Sequence, residues 1–102
     1  MNYGVNLLID QNVIKNKIRD VAVDYPVKKI ELFGSYAEGR QTEDSDIDLL
    51  VEFKTPDISL FILSGLRIDI EESLGMSVDL LHAPLPEDSM IEIGRTVPLY
   101  EA

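Results

Sequence analysis

Residues 47–53 alternate without a break: Ile47, Leu49, Val51 and Phe53 fall on one side of an extended chain, and Asp48, Leu50 and Glu52 on the other. A period of two over seven residues cannot serve a helix, so this stretch predicts a β-strand with one face in a core. Its start carries two carboxylates, Asp46 and Asp48. Two positions apart in extended chain, they share a face about 7 Å apart along the backbone. Any fold open to this chain must supply the strand with neighbours and a covering layer, and must accommodate acids at one end of it.

The neighbours are legible. Val27–Phe33 is rich in β-formers and stops at Gly34-Ser35, and residues 77–82 predict a third strand. Before the first strand, Asp10 is suited to cap a helix whose apolar residues Ile14, Ile18, Val21 and Tyr25 recur at helical spacing until Pro26. After residue 53, Thr55-Pro56 offers a cap and a first-turn proline for a helix ending near Leu74, with Gly75 beyond it. Leu60, Leu63, Leu66, Ile70 and Leu74 make its inward stripe. Phe61, Ile62 and Ile68 lie off that stripe, covered by a second layer or left as a patch for a partner. A last short helix is expected over residues 87–95.

Connection lengths set the topology. About a dozen residues separate Gly34 from Ile47, too few for a helical crossover, so the first two strands should run antiparallel. A whole helix separates the second strand from the third, which favours a parallel pair with a right-handed crossover. The expected fold is α+β: a small mixed sheet of three strands, with room for a fourth, flanked by helices. No repeat or linker divides the 102 residues, so a single domain over residues 1–102 is expected. Gly34, Ser35, Asp46, Asp48 and Asp79 would then meet at one edge of the sheet.

Three carboxylates on an apolar scaffold repel one another unless a cation joins them. The chain has no cysteine and one histidine, His82, which removes disulfides, iron–sulfur clusters and thiol catalysis and disfavours zinc. Oxygen-only ligation points instead to magnesium. Gly34-Ser35 after a strand suits a phosphate cradle, because glycine admits close backbone approach and the following amides donate. Gly34 to Gln41 imitates a P-loop in the spacing of Gly34 and Gly39. It fails where Arg40 and Gln41 replace Lys and Ser/Thr.

Gly34-Ser35, ten residues, then Asp46-Ile47-Asp48, with Asp79 in a following strand, resembles the DNA polymerase β-like nucleotidyltransferase superfamily. Within it the chain is similar to the minimal nucleotidyltransferase (MNT) branch, antitoxins to HEPN toxins, over roughly residues 10–100. The resemblance implies the nucleotidyltransferase fold, with ATP held at Gly34 and Ser35. It also implies two magnesium ions on Asp46, Asp48 and Asp79, and AMP transfer to a tyrosine of a HEPN-type toxin with which the chain would form a hetero-oligomer. Glu38 departs from the basic residue many relatives carry. Arg40 either replaces it as a phosphate contact or is a solvated loop charge. Tyr36 stacks on a nucleotide or packs on the sheet edge. Two alternatives stay open: neutralisation of a toxin by stoichiometric binding, and transfer to a small-molecule hydroxyl.

Charge narrows the partners. Nine Lys and Arg stand against nineteen Asp and Glu, a net −10, and residues 41–102 hold three of the former and fourteen of the latter. Such a chain lacks the basic footprint that direct nucleic-acid binding needs. No apolar run approaches a membrane span and residues 1–9 lack a basic leader, so a cytoplasmic protein with no membrane partner is expected.

Overall fold

The computed structural model describes residues 10–85 and 93–102. The alternating stretch forms β2 (Ile47–Phe53), whose odd-numbered residues are all buried. Beside it β1 (Val27–Phe33) pairs antiparallel and β3 (Val78–Ala83) pairs parallel. The possible fourth strand exists as β4 (Val97–Glu101), antiparallel to the free side of β1, giving the order β3-β2-β1-β4. As an edge strand, β4 tolerates Pro98, which has no N–H to give to a ladder.

Helix α1 (Gln11–Ala22) begins where the Asp10 carboxylate accepts the Asn12 N–H at 2.6 Å, and buries Ile14, Ile18 and Ala22. Between β1 and β2 lies the one-turn α2 (Ser35–Glu38). Helix α3 (Leu60–Leu74) supplies the parallel crossover and ends at Gly75, which adopts the left-handed φ of 69° that favours glycine there. Its start differs from expectation. Ser59, not Thr55-Pro56, is the cap, its hydroxyl accepting the Ile62 N–H at 3.2 Å, so the helix begins one turn later.

Helices α1 and α3 cover the same face of the sheet as Ile30, Leu32, Leu49 and Val51. Ile14, Ile18, Leu66 and Ile70 reach into that layer and are fully buried. Each such side chain contributes about 1.5–3 kcal/mol relative to exposure. The stripe drawn on α3 from the sequence holds at Leu66, Ile70 and Leu74 but fails at Leu60, which is 78% exposed, while Ile62 packs against the core. Apolar residues fall on every side of this helix, interleaved with charged ones, so its own pattern does not choose which side faces inward. The helix expected over residues 87–95 falls mostly on residues 86–92, outside the described residues; residues 93–96 are not helical. Among the described residues, no helix is long and apolar enough to cross a membrane.

Candidate active site

Asp48 lies in register between two strands, opposite Phe33 of β1 and Asp79 of β3. The buried odd-numbered residues of β2 and buried Val78 set the parity, so Asp48 and Asp79 point away from the helices. A closed turn presents Asp46 two residues earlier: the Thr42 N–H donates to Ser45 Oγ at 2.9 Å, and the Ser45 N–H to the Thr42 carbonyl at 3.1 Å. The Ile47 N–H then donates to the Ser77 carbonyl at 3.2 Å, which locks the starts of β2 and β3 together. Asp46 and Asp79 are exposed and Asp48 is half-buried.

Gly34 closes the site from the β1 side. Its φ of 73° and ψ of −153° belong to a region only glycine occupies freely, and a Cβ there would lie 2.3 Å from Asp48 Oδ2. The backbone thus rests against the carboxylate. The amides of Ser35 and Tyr36, first in α2, have no partner inside the helix because a helix leaves its leading N–H groups free. Gly34 and Ser35 therefore bring main-chain donors beside Asp48, as a phosphate cradle requires.

Electrostatically the edge is strained. Burial, then the charges of Asp79 and Asp46, then a hydrogen bond shared with Asp79 push the Asp48 carboxyl above the ordinary carboxylate range. Among the described residues, no three His, Asp or Glu side chains stand close enough to enclose an ion. Like-charge repulsion opposes their convergence, and the exposed Asp46 and Asp79 have solvent to turn into. The donors nevertheless suit a hard cation: all are carboxylate oxygens, one already driven toward protonation by burial and by its acidic neighbours. A cleft of about 380 Å³ opens here between Asp48, Asp79, Phe33, Leu81 and Arg67 of α3.

Other sequence candidates lie elsewhere or are committed. Arg40 forms an ion pair with Glu38, Nη2 to Oε1 at 3.1 Å, so it would have to leave Glu38 to meet a phosphate. Tyr36 packs in the core at 1% exposure with its hydroxyl 3.9 Å from Met76 Sδ, which excludes stacking on a nucleotide in this conformation. His82 meets the edge of Phe53, ring centroids 5.1 Å apart, near the far end of β3. Another cleft there, between Lys28, Lys54, His82 and Pro84, includes none of the candidate acids.

Three contributors escaped the sequence reading. Glu71 of α3 accepts the Val78 N–H at 2.9 Å and so anchors the strand that carries Asp79. Its place one turn before the Gly75 cap was the available signal. Phe33 is buried outside the core cluster, against the cleft. Arg67 reaches the cleft from a helix on the other face, and no local pattern marks it.

Comparison with known proteins places the chain among relatives of the same fold. Residues 14–97 match the family described as a nucleotidyltransferase domain. A Methanocaldococcus jannaschii protein, provisionally named a protein adenylyltransferase, is 47% identical over 70 residues, covering 69% of this chain and 74% of the relative. A crystal structure of a toxin–antitoxin with AMP-PNP superposes with a TM-score of 0.72 at 25% identity, over 86% of this chain and 73% of that one. A complex of a tri-AMPylated Shewanella oneidensis HEPN toxin with its MNT antitoxin shares the fold, with a TM-score of 0.64 at 22% identity, over 90% of this chain and 73% of that one.

Proposed function

This chain belongs to the nucleotidyltransferase domain family, and on that premise we propose that it transfers AMP from ATP to a tyrosine hydroxyl of a HEPN-type toxin, which it silences as an antitoxin. The observation that carries the reading is the register that sets Asp48 between Phe33-Gly34 and Asp79. Phosphate cradle, carboxylates and open cleft then share one sheet edge. Support for the donor comes from the AMP-PNP complex, and for the acceptor from the tri-AMPylated toxin of the Shewanella oneidensis pair.

In this reading the amides after Gly34 and the Ser35 hydroxyl hold the β- and γ-phosphates and align the triphosphate. Asp46, Asp48 and Asp79 would hold two magnesium ions, which when bound would neutralise the phosphate charge and favour the phenolate form of the acceptor. The phenolic proton passes to a carboxylate oxygen of Asp79 as the tyrosine oxygen bonds to the α-phosphorus. The bond from that phosphorus to the bridging oxygen breaks in line, and pyrophosphate leaves. Arg40, once released from Glu38, is the candidate for a further phosphate contact. On this reading the protein works in the cytoplasm, where ATP and magnesium are supplied.

The test uses ATP labelled at the α-phosphate with magnesium and a HEPN protein of the same genome. Label should pass to the HEPN protein, and Asp48→Asn should reduce transfer at least about 100-fold. Transfer untouched by Asp48→Asn would overturn the assignment.

A further inference from the structure

Helix α3 presents its second apolar side to solvent. Phe61 is 91% exposed, Leu60 78% and Ile68 47%. At 100° per residue these three share one arc of the helix with Ser64 and half-buried Glu71, on the side away from the buried Leu66. Scattered exposed apolar residues are ordinary, as Val13 and Val23 on and after α1 illustrate, but three on one arc of one helix are not. Toward its flank the same arc includes exposed Arg67, which lines the cleft of Asp48 and Asp79. The patch therefore runs from the start of α3 to the rim of the candidate active site.

We infer that Leu60, Phe61 and Ile68 are the seat of the protein acceptor, a cationic surface with an apolar pocket that receives Phe61. The inference rests on the proposed function for the existence of that acceptor. Charge selects the occupant. A second copy would bring another net charge of −10 onto an arc bordered by exposed Asp57, Asp69 and Glu72, and the two would repel. A basic partner is attracted by the same field, and a central aromatic anchor is what concentrates binding energy in such contacts. Seated there, the partner lies along α3 and leaves the open end of the sheet to ATP.

The experiment measures affinity between this chain and the HEPN protein used in the transfer assay, by calorimetry. Phe61→Ser should weaken Kd at least about 30-fold. Val23→Ser, an exposed apolar position elsewhere, should leave Kd unchanged. Asp48→Asn should also retain binding while losing transfer, which separates the surface from the chemistry. In hydroxyl-radical footprinting, Phe61 should react in the free chain and be protected in the complex. Wild-type affinity in Phe61→Ser, or protection of Phe61 in the free chain by its own residues or a second copy, overturns the inference. Failure of the wild-type chain to bind the HEPN protein overturns the partner reading, and the surface with it.

Discussion

Gly34 is the residue on which the site turns. Its backbone sits at φ 73° and ψ −153°, and its missing side chain leaves the space against Asp48. Gly34→Ala should cost about 1–3 kcal/mol in backbone strain and displace the Asp48 carboxylate. The expected outcome is a lower melting temperature together with loss of AMP transfer, read by calorimetry and label transfer. Asp48 yields a second prediction. Because its folded pKa is raised from 3.8, the folded chain holds this proton more tightly than the unfolded chain. The advantage is full below that value and is lost as pH rises through the folded value, so at neutral pH the ionised carboxylate is a burden. In chelator, Asp48→Asn should melt roughly 2–5 °C above wild type at pH 7, a gap that closes near pH 3. Added magnesium should raise the wild-type melting temperature and move the variant little. That Gly34 and Asp79 come to lie beside Asp48 was legible because spacing and register are backbone properties, whereas among the described residues the three acids do not close around an ion. The Arg40–Glu38 pair was not legible, because two exposed side chains two residues apart have many alternatives.

At the scale of elements, α1 and α3 are tied where the chain leaves α1. The Tyr25 hydroxyl donates to Asp69 Oδ2 at 2.5 Å, and Gly65 on the same side of α3 leaves room for the Tyr25 ring. This bond, with burial and the nearby Asp69 and Asp24 charges, pushes the Tyr25 pKa to about 12 from 10.0. The contribution to stability is present in full below pH 10 and is lost as pH rises through about 12. Tyr25→Phe should therefore flatten the decline of melting temperature across that alkaline window, as a denaturation series in paired buffers would reveal. Element type and order were readable from period and punctuation: period two in β2, period 3.6 in α1, and Gly75 at the end of α3. The inward side of α3 was readable only in part. Leu60, three residues before Leu63, is drawn into the stripe by spacing alone, yet it turns to the solvent side of α3 and stays 78% exposed.

Across the whole molecule the net charge of −10 acts through distance. Raising NaCl from about 20 mM to about 300 mM shortens the Debye length from roughly 20 Å to roughly 6 Å. In chelator, that change should raise the melting temperature by relieving repulsion among the acids, and with magnesium present the gain should shrink. A melting temperature that falls with salt would show that attractive pairs such as Lys28–Glu52, at 3.4 Å, outweigh the excess. By itself the sequence determined the first three strands, their antiparallel and parallel senses, and the meeting of Gly34, Asp48 and Asp79 at one edge. Those follow from local periodicity and from the reach of short and long connections. Only the tertiary structure decided that β4 completes the sheet, that Glu71 anchors β3, that Arg67 overlooks the cleft and that Phe61 faces solvent. Each of these depends on which surfaces approach one another, and side chains far apart in sequence acquire that relation only when the sheet and its helices pack.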